Sequence, residues 1–504
     1  MTEPPTATLH TQARTGLRPW MERVLHECDH AGSELAPDPV HDLRVALRRC
    51  RSLSDGMMAI DFDPSWRAMK KAGRKLFRAL GDLRDLHVML EWLGKLGDPD
   101  DPVARKLTAV VRAREAEARP LAAEAIAKFD RKQWRQWSQS LPRRATRIRL
   151  GSPAFEHLAL EKWAAAYDLH KRAMRSRSQV AFHTLRIGIK RFRYTVENFL
   201  PRQHKLWSAD LKRLQDWLGE VHDLDVLWQT ALQIGAFPDP GSRDLWRTRL
   251  QAERNLRLNQ YRVRMVGRES LWQQWRGELP RGQAIKTASL ARLNASARFL
   301  DPDFAHSQRV AQLSLQLYDG LARVGLFQPE EGRDLRSALL AAALLHDVGR
   351  GTEAKDHHKE TYRLICQLPT PLGWSEPDFA LVAIVARYHR GALPRTGQKP
   401  LLALTLPERR IATRLAAILR LASVLDLRHL DKSNTRRLHR AAVHLEAKAV
   451  VITVDGYSGY HQSAEKIAAA RHLLELTLRK PVIVKGASPT RRKIRRPLPN
   501  DAAR

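Results

Sequence analysis

From residue 16 to about residue 278, Leu, Trp and Ala recur at spacings of three and four, the period of one face of an α-helix. Alternation of period two, which marks a half-buried strand, is nearly absent there. Breaks fall at ELAPDP (34–39), GDPDDP (97–102), LGSP (150–153), 201–204 and AFPDPG (236–241), where Pro and Gly interrupt helical runs. The segments between them have the length of bundle helices. The texture changes near LPRGQAIKTA (279–288), and a second helical stretch runs to about 444. VVITVDGY (450–457) then alternates and PVIVKG (481–486) is β-branched, which predicts a small sheet or hairpin. Residues 1–15 read as a disordered N-terminus and 486–504 as a basic tail. The fold class expected is mainly α: two pseudo-symmetric helical bundles, then an all-helical domain with a small terminal β element.

The pseudo-symmetry rests on an internal echo. VHDLRVALRRCRS (40–52) is matched by FHTLRIGIKRFRY (182–194), and GDLRDLHVM (81–89) by GEVHDLDVL (219–227). The offsets are 142 and 138, so a four-residue length change separates the pairs. Two copies of one unit, about 20–145 and 155–278, account for this within a domain spanning 16–280.

Each copy carries a cationic ladder. On a helix, Arg44, Arg48 and Arg51 share one face, as do Arg186, Lys190 and Arg193. Arg49 and Arg191 widen those faces, and the following helices add Arg74 and Lys75 in copy one, Lys212 and Arg213 in copy two. Like charges at this spacing repel. Arginine forks match phosphate oxygens in pairs, so repeated ladders suit a linear polyanion. The bland alternative is a solvated basic face paired with Asp42, Asp82, Asp85, Asp223 and Asp225. His41 and His183 open the two ladders, as capping groups or as phosphate contacts.

Composition sharpens this picture. The 504-residue chain has 87 Lys and Arg against 54 Asp and Glu, a net charge of +33. Such an excess seeks polyanions: nucleic acid, anionic membrane or polymeric phosphate. The three cysteines are scattered, which suits a reducing compartment. The opening MTEPPTATLHTQ has no leader pattern, and the longest apolar run, ALLAAALL (338–345), is too short to span a bilayer. The expectation is a soluble cytoplasmic protein without a membrane partner.

The second half adds a different chemistry. AALLHDVGR (342–350) sets His346 beside Asp347 on an apolar helix, His306 shares a stripe with Val310, Leu313 and Leu317, and Asp426 shares one with Leu415, Leu419 and Ala422. A carboxylate on an apolar stripe is costly unless paired or metal-bound. The ordered set of His306, His346, Asp347 and Asp426 points to a divalent ion (Mn, Mg, Co or Fe) able to activate water for phosphoester attack. DHHKE (356–360) and ARYHRG (386–391) add His357 and His358 as further ligands, and Glu360 and His389 as catalytic candidates beside His346 and Asp347. The alternative is a hydrogen-bonded polar core, with Arg387, Arg390 or Arg420 neutralising the acids.

These residues resemble known families. The two ladder segments, each followed by an LGDLRDLHV-like segment, resemble the CHAD domain over 16–280. That resemblance implies two helical bundles around a basic groove and binding of inorganic polyphosphate, often at polyphosphate granules, with no catalytic role. The matching positions are His41, Arg44, Arg48, Arg49, Arg51, His183, Arg186, Lys190, Arg191 and Arg193. Residues 288–485 resemble HD phosphohydrolases, and more closely the C-terminal HD-type domain of the exopolyphosphatase and guanosine-pentaphosphatase (Ppx/GppA) family, on FAHSQRVAQLSLQLYDGL, AAALLHDVGR, HHKETYRLI, ARYHRG and LRLASVLDLRH. The family pattern has histidine where Glu360 stands. Its usual catalytic part, an actin-like domain with glycine-rich phosphate loops, has no counterpart in 1–280.

Together these features lead us to expect a polyphosphate-binding protein with a metal-dependent HD phosphohydrolase domain acting on polyphosphate or nucleotide phosphates. His389 or Glu360 would orient water, and arginines near 387–390 would hold phosphate. A second reading is a non-catalytic granule-associated binder with an HD scaffold. A nucleic-acid binder comes third, since no helix-turn-helix, zinc-finger or stacking-aromatic pattern is evident.

Overall fold

The computed structural model describes residues 16–30, 35–98, 100–327, 333–426, 440–455, 457 and 463–486. The N-terminus expected to be disordered (1–15) and the basic tail from 487 onward lie outside the described residues. The protein is mainly α-helical, as its periodicity predicts, and divides into two compact units, 1–296 and 297–504.

The first unit begins with α1 (Leu17–His30), α2 (Pro37–Met57), α3 (Pro64–Ala72), α4 (Arg74–Leu96), α5 (Pro102–Ala127) and α6 (Arg131–Ala145). It continues with α7 (Pro153–Ser176), α8 (Gln179–Phe199), α9 (Pro201–Gln233), α10 (Pro240–Met265) and α11 (Leu271–Gly277); α12 (Gln283–Leu300) follows. The sequence breaks become helix starts. Asp101 accepts from the backbone N–H of Val103 and Ala104 while Pro102 opens α5, and Asp239 accepts from Ser242 N–H while Pro240 opens α10. A capping carboxylate of this kind contributes about 1 kcal/mol, and proline suits the first helical position because its missing N–H has no partner there anyway.

The two ladder helices, α2 and α8, pack against each other. Their apolar stripes, Val40, Leu43 and Leu47 in one and Phe182, Leu185 and Ile189 in the other, are buried. Gly56 lets them close: a Cβ there would lie 2.1 Å from a ring carbon of Phe199. Asn198 donates to Ser52 Oγ across the same seam at 3.0 Å. Elsewhere the copies share one core, in which Trp92, Leu107 and Val111 meet Leu224, Leu227 and Trp246. Trp246 Nε1 donates to Asp101 Oδ2 at 2.9 Å, so the carboxylate that caps α5 also holds copy two.

The second unit holds α13 (Phe304–Arg323), α14 (Leu335–Leu345), α15 (His357–Cys366), α16 (Glu376–Arg387), α17 (Lys399–Leu402) and α18 (Leu406–Leu425), then β1 (Ala441–Leu445), β2 (Val450–Val454), α19 (Ala464–Leu478) and β3 (Val482–Gly486). Helix α14, LRSALLAAALL, is apolar nearly all round, as a helix buried on every side must be. It packs against α13, α16 and α18. The sheet runs β1-β2-β3, antiparallel then parallel, with α19 crossing between β2 and β3. Strand β1 corrects the helical reading that ran to about 444. AAVHL is too short and alanine-rich for its period to decide, and pairing with β2 and packing on α13 decide it instead. No helix of the described residues is long and apolar enough to cross a membrane.

Candidate functional site

In the first unit, packing of α2 on α8 brings Arg44, Arg48, Arg186 and Lys190 together. Burial pushes the Lys190 ammonium down to about 8, the guanidiniums of Arg48, Arg186 and Arg44 push the same way, and Asp85 opposes them. Arg48 and Lys190 lie 5.8 and 6.0 Å from the ring centre of Tyr194. The Nε atoms of Arg48 and Arg186 are buried without a hydrogen-bond partner. Arg44 donates to Phe77 O at 3.4 Å and lies 4.0 Å from Asp85.

The repeat extends to the glycines. A Cβ on Gly81 would sit 2.3 Å from Arg44 Nη1, and one on the matching Gly219 would come to 4.0 Å from Arg186 Nε. Asp85 and Asp223 also correspond and both stand among these bases. Burial pushes the Asp223 carboxyl up to about 6, against the pull of Arg186. Burial likewise raises Asp85, although its side chain stays 70% exposed.

The remaining ladder residues divide. Arg49 and Arg193 both reach Glu197, Arg193 at 4.0 Å. Arg51 donates to Lys70 O at 3.0 Å and lies over Phe77. Arg191 is exposed. Arg74 and Lys75 line a separate cleft of about 780 Å³ with Lys71, Arg78, Ala118 and Leu121. Lys212 and Arg213 are exposed on α9, with Asp216 beside Lys212. His41 faces solvent, and its imidazole is held below the usual range by crowding and by Arg84 and Arg48. His183 Nδ1 lies 3.4 Å from His222 Nδ1. Burial, Arg186 and His183 push His222 down to about 4. One copy thus sets His41 beside an arginine where the other sets His183 beside a histidine.

In the second unit, helix ends converge. His306 lies in the first turn of α13, His346 and Asp347 just past α14, His357 at the start of α15, His389 just past α16, and Asp426 at the end of α18. All six are at least 95% buried. They line a cavity of about 330 Å³ together with Arg350, Arg390, Ser423, Val424 and Lys466. His306 Nδ1 is 2.7 Å from Asp426 Oδ2. The Nε2 atoms of His346, His357 and His389 stand 3.6, 3.1 and 3.5 Å from Asp347 Oδ1.

The ring orientations define the chemistry. Nδ1 of His346, His357 and His389 lies 2.7, 3.1 and 2.8 Å from the carbonyl oxygens of Ala343, Ala354 and Ala386. Assigned from this network, each proton resides on Nδ1 and each Nε2 lone pair points at the carboxylate. His357 and His389 Nε2 are 3.3 Å apart, and His346 Nε2 is buried without a partner. Acceptors facing acceptors repel, and a divalent cation among them would turn that repulsion into ligation, with the carbonyls as the outer support that metal-bound histidines commonly have. His306, His346 and Asp347 form one such group, and Asp347, His357 and His389 another, so Asp347 is common to both.

Two sequence candidates stand elsewhere. Glu360 is engaged by Arg363 at 2.8 Å on the outer face of α15 and does not join the cluster. His358 turns towards Arg387 and Arg390. The acids are not neutralised by Arg387, Arg390 or Arg420. Arg309 holds Asp426 at 2.8–2.9 Å, and Arg350 holds Asp347 Oδ2 at 2.9 Å. Both arginines lie three residues after a site residue, His306 and Asp347, a spacing visible in the sequence.

Comparison with known proteins divides the chain along the same lines. Residues 17–232 match the family model of the CHAD domain, and 269–467 match that of the Ppx/GppA phosphatase, domain III. No curated protein matches. Among solved structures, the crystal structure of the CHAD domain from the plant Ricinus communis is 24% identical, with 53% of this chain and 90% of that chain covered and a TM-score of 0.36. The chain therefore joins a CHAD domain to a Ppx/GppA domain III.

Proposed function

We propose that the protein binds inorganic polyphosphate along the paired ladders and hydrolyses phosphoanhydride or phosphoester bonds at the histidine–aspartate centre. The carrying observation is the convergence of Arg44, Arg48, Arg186 and Lys190 from the two copies, with buried guanidinium N–H groups left unpaired. Like charges held together out of water need an anion, and a chain of phosphates supplies one at every unit. Polyphosphate granules are the setting such a binder suits.

At the second site, His306, His346, Asp347, His357, His389 and Asp426 are the residues to hold divalent metal. A bound ion there would supply Lewis acidity and make water a better nucleophile near neutral pH. Arg309 and Arg350 orient the two carboxylates, while Arg390 and Lys466 present positive charge to phosphate oxygens. In the hydrolysis, water oxygen bonds to phosphorus and the water sheds a proton. The bond to the leaving oxygen breaks, that oxygen departs with the electron pair, and the proton is taken up by it or by solvent. Polyphosphate and nucleotide phosphates are the substrates proposed.

The test is orthophosphate release from long-chain polyphosphate with Mn, Mg or Co supplied, comparing wild type with Asp347→Ala. Metal-dependent release that vanishes in the variant supports the reading. No release with binding intact favours a binder whose second domain is a scaffold, a reading to which the engagement of Glu360 by Arg363 lends support. A salt titration of polyphosphate against duplex DNA at equal charge separates both from a nucleic-acid binder.

A further inference from the structure

Beside the metal-type centre lies a second set of unpaired cations. His358 is 6% exposed, and its Nδ1 has no hydrogen-bond partner. Its Nε2 abuts Gly391, where an added Cβ would come within 2.6 Å of it. The carbonyl of Gly391 accepts from Arg420 Nη2 at 2.7 Å. Arg387 and Arg390 are the charged groups that most lower His358 after burial itself, and Arg390 is the charge that acts on Arg420. The Nη1 atoms of Arg387 and Arg420 are buried and unpartnered. Among the described residues no carboxylate pairs with Arg387, Arg390 or Arg420. Asp356, the carboxylate whose charge acts on Arg387 and His358, is engaged by Lys359 at 2.8 Å.

Three guanidiniums around a buried imidazole, with open donors on two of them, make a cluster that lacks its anion. The cluster continues into the neighbouring site. Arg390 lines the cavity that holds His346 and Asp347, and the His358 ring centre is 6.4 Å from that of His389.

We propose that His358, Arg387, Arg390 and Arg420 form an anion subsite for the second phosphate of a phosphoanhydride substrate, so that the centre favours linked phosphates over a lone phosphate. This rests on the hydrolase reading above and narrows its substrate class. An orthophosphate or a monoester can reach the histidine–aspartate centre but leaves the open donors of Arg387 and Arg420 empty. A diphosphate unit fills both.

The test uses the full-length chain carrying Arg48→Ala and Lys190→Ala, which weakens the ladder groove, with Mn²⁺ supplied. Calorimetric titration compares orthophosphate with imidodiphosphate, the P–N–P analogue of diphosphate, and metal content is measured in parallel. The expected result is a preference for imidodiphosphate of about tenfold or more, which Arg387→Gln with Arg420→Gln brings close to one. Arg390→Gln, on an exposed side chain, reduces the preference without depending on a buried substitution being tolerated. An unchanged preference in both variants overturns the subsite. If manganese is bound and the preference is unchanged, the subsite fails while the hydrolase reading stands. If no manganese is bound but the Gln variants still weaken imidodiphosphate, the subsite stands and the metal reading fails.

Discussion

Arg48 and Lys190, one from each copy of the repeat, approach the same tyrosine ring, Tyr194, at 5.8 and 6.0 Å. A cation of each ladder thus serves one shared surface. Replacing both with alanine should lower polyphosphate affinity by roughly tenfold or more, as loss of charge-assisted bonds implies. The salt dependence should become shallower by about two charges' worth of counterion release. Affinity measured across an ionic-strength series checks this, and an unchanged slope would count against the shared groove.

Lys190 also sets a pH dependence. Its ammonium titrates at about 8 in the free protein, and a bound polyanion favours the charged form. Affinity should therefore fall as pH rises from 7 to 9, and Lys190→Arg should flatten the fall. Stability should move the other way without ligand. The folded value of about 8 lies below the ordinary 10.5. Between these values the unfolded chain holds the extra proton, so stability rises with pH across that window. Binding and melting curves at matched pH values separate the two effects.

The glycine pair is asymmetric in a testable way. Alanine at Gly81 would collide with Arg44 Nη1, whereas alanine at Gly219 meets Arg186 Nε only at 4.0 Å. Because the colliding atom ends a flexible side chain, Gly81→Ala should displace Arg44 with little loss of stability, helped by a helix-propensity gain of about 1 kcal/mol. Polyphosphate affinity should drop several-fold for Gly81→Ala and hold for Gly219→Ala.

Gly56 behaves differently, because the neighbour there is the packed ring of Phe199. Gly56→Ala should destabilise the seam between α2 and α8 by about 1–3 kcal/mol, the usual cost of overpacking. Denaturant unfolding of the variant gives the number.

Divalent metal should raise the melting temperature of the protein, since a ligand at a hundred times its dissociation constant contributes about 2.7 kcal/mol to the state that binds it. Asp347→Asn, which removes the carboxylate common to both ligand groups, should abolish the rise. Thermal scans with Mn²⁺ and with chelator test it.

Much of this was legible in the residues. The cationic faces follow from helical period alone, and the repeat offsets pair Arg44 with Arg186 before any packing is known. The helix-end cluster was visible because a histidine or carboxylate on an apolar stripe has no cheap alternative to a partner. Arg193 and Glu197 stand four residues apart on α8, so their approach was legible; capture of Arg49 by the same Glu197 was not, since it depends on how α2 meets α8. Arg309 and Arg350 lie three residues beyond His306 and Asp347, a spacing that does not by itself distinguish them from the arginines beside the other histidines. Lys466 enters the cavity from α19, forty residues beyond Asp426 in the sequence, and no local spacing announces it. Glu360 is a catalytic candidate by its neighbours in sequence, but its helical phase turns it towards Arg363.

One carboxylate ties the two copies together. Asp101 caps α5 with one oxygen and holds the Trp246 indole with the other, while Arg249 approaches from the same side at 3.3 Å. Separating the copies would expose the tryptophan and strip the capping carboxylate of its Trp246 and Arg249 partners in a single event. The tandem bundles are thus coupled in their opening as well as in their architecture: when the second copy lets go of Asp101, the amide protons of Val103 and Ala104 should exchange faster with solvent.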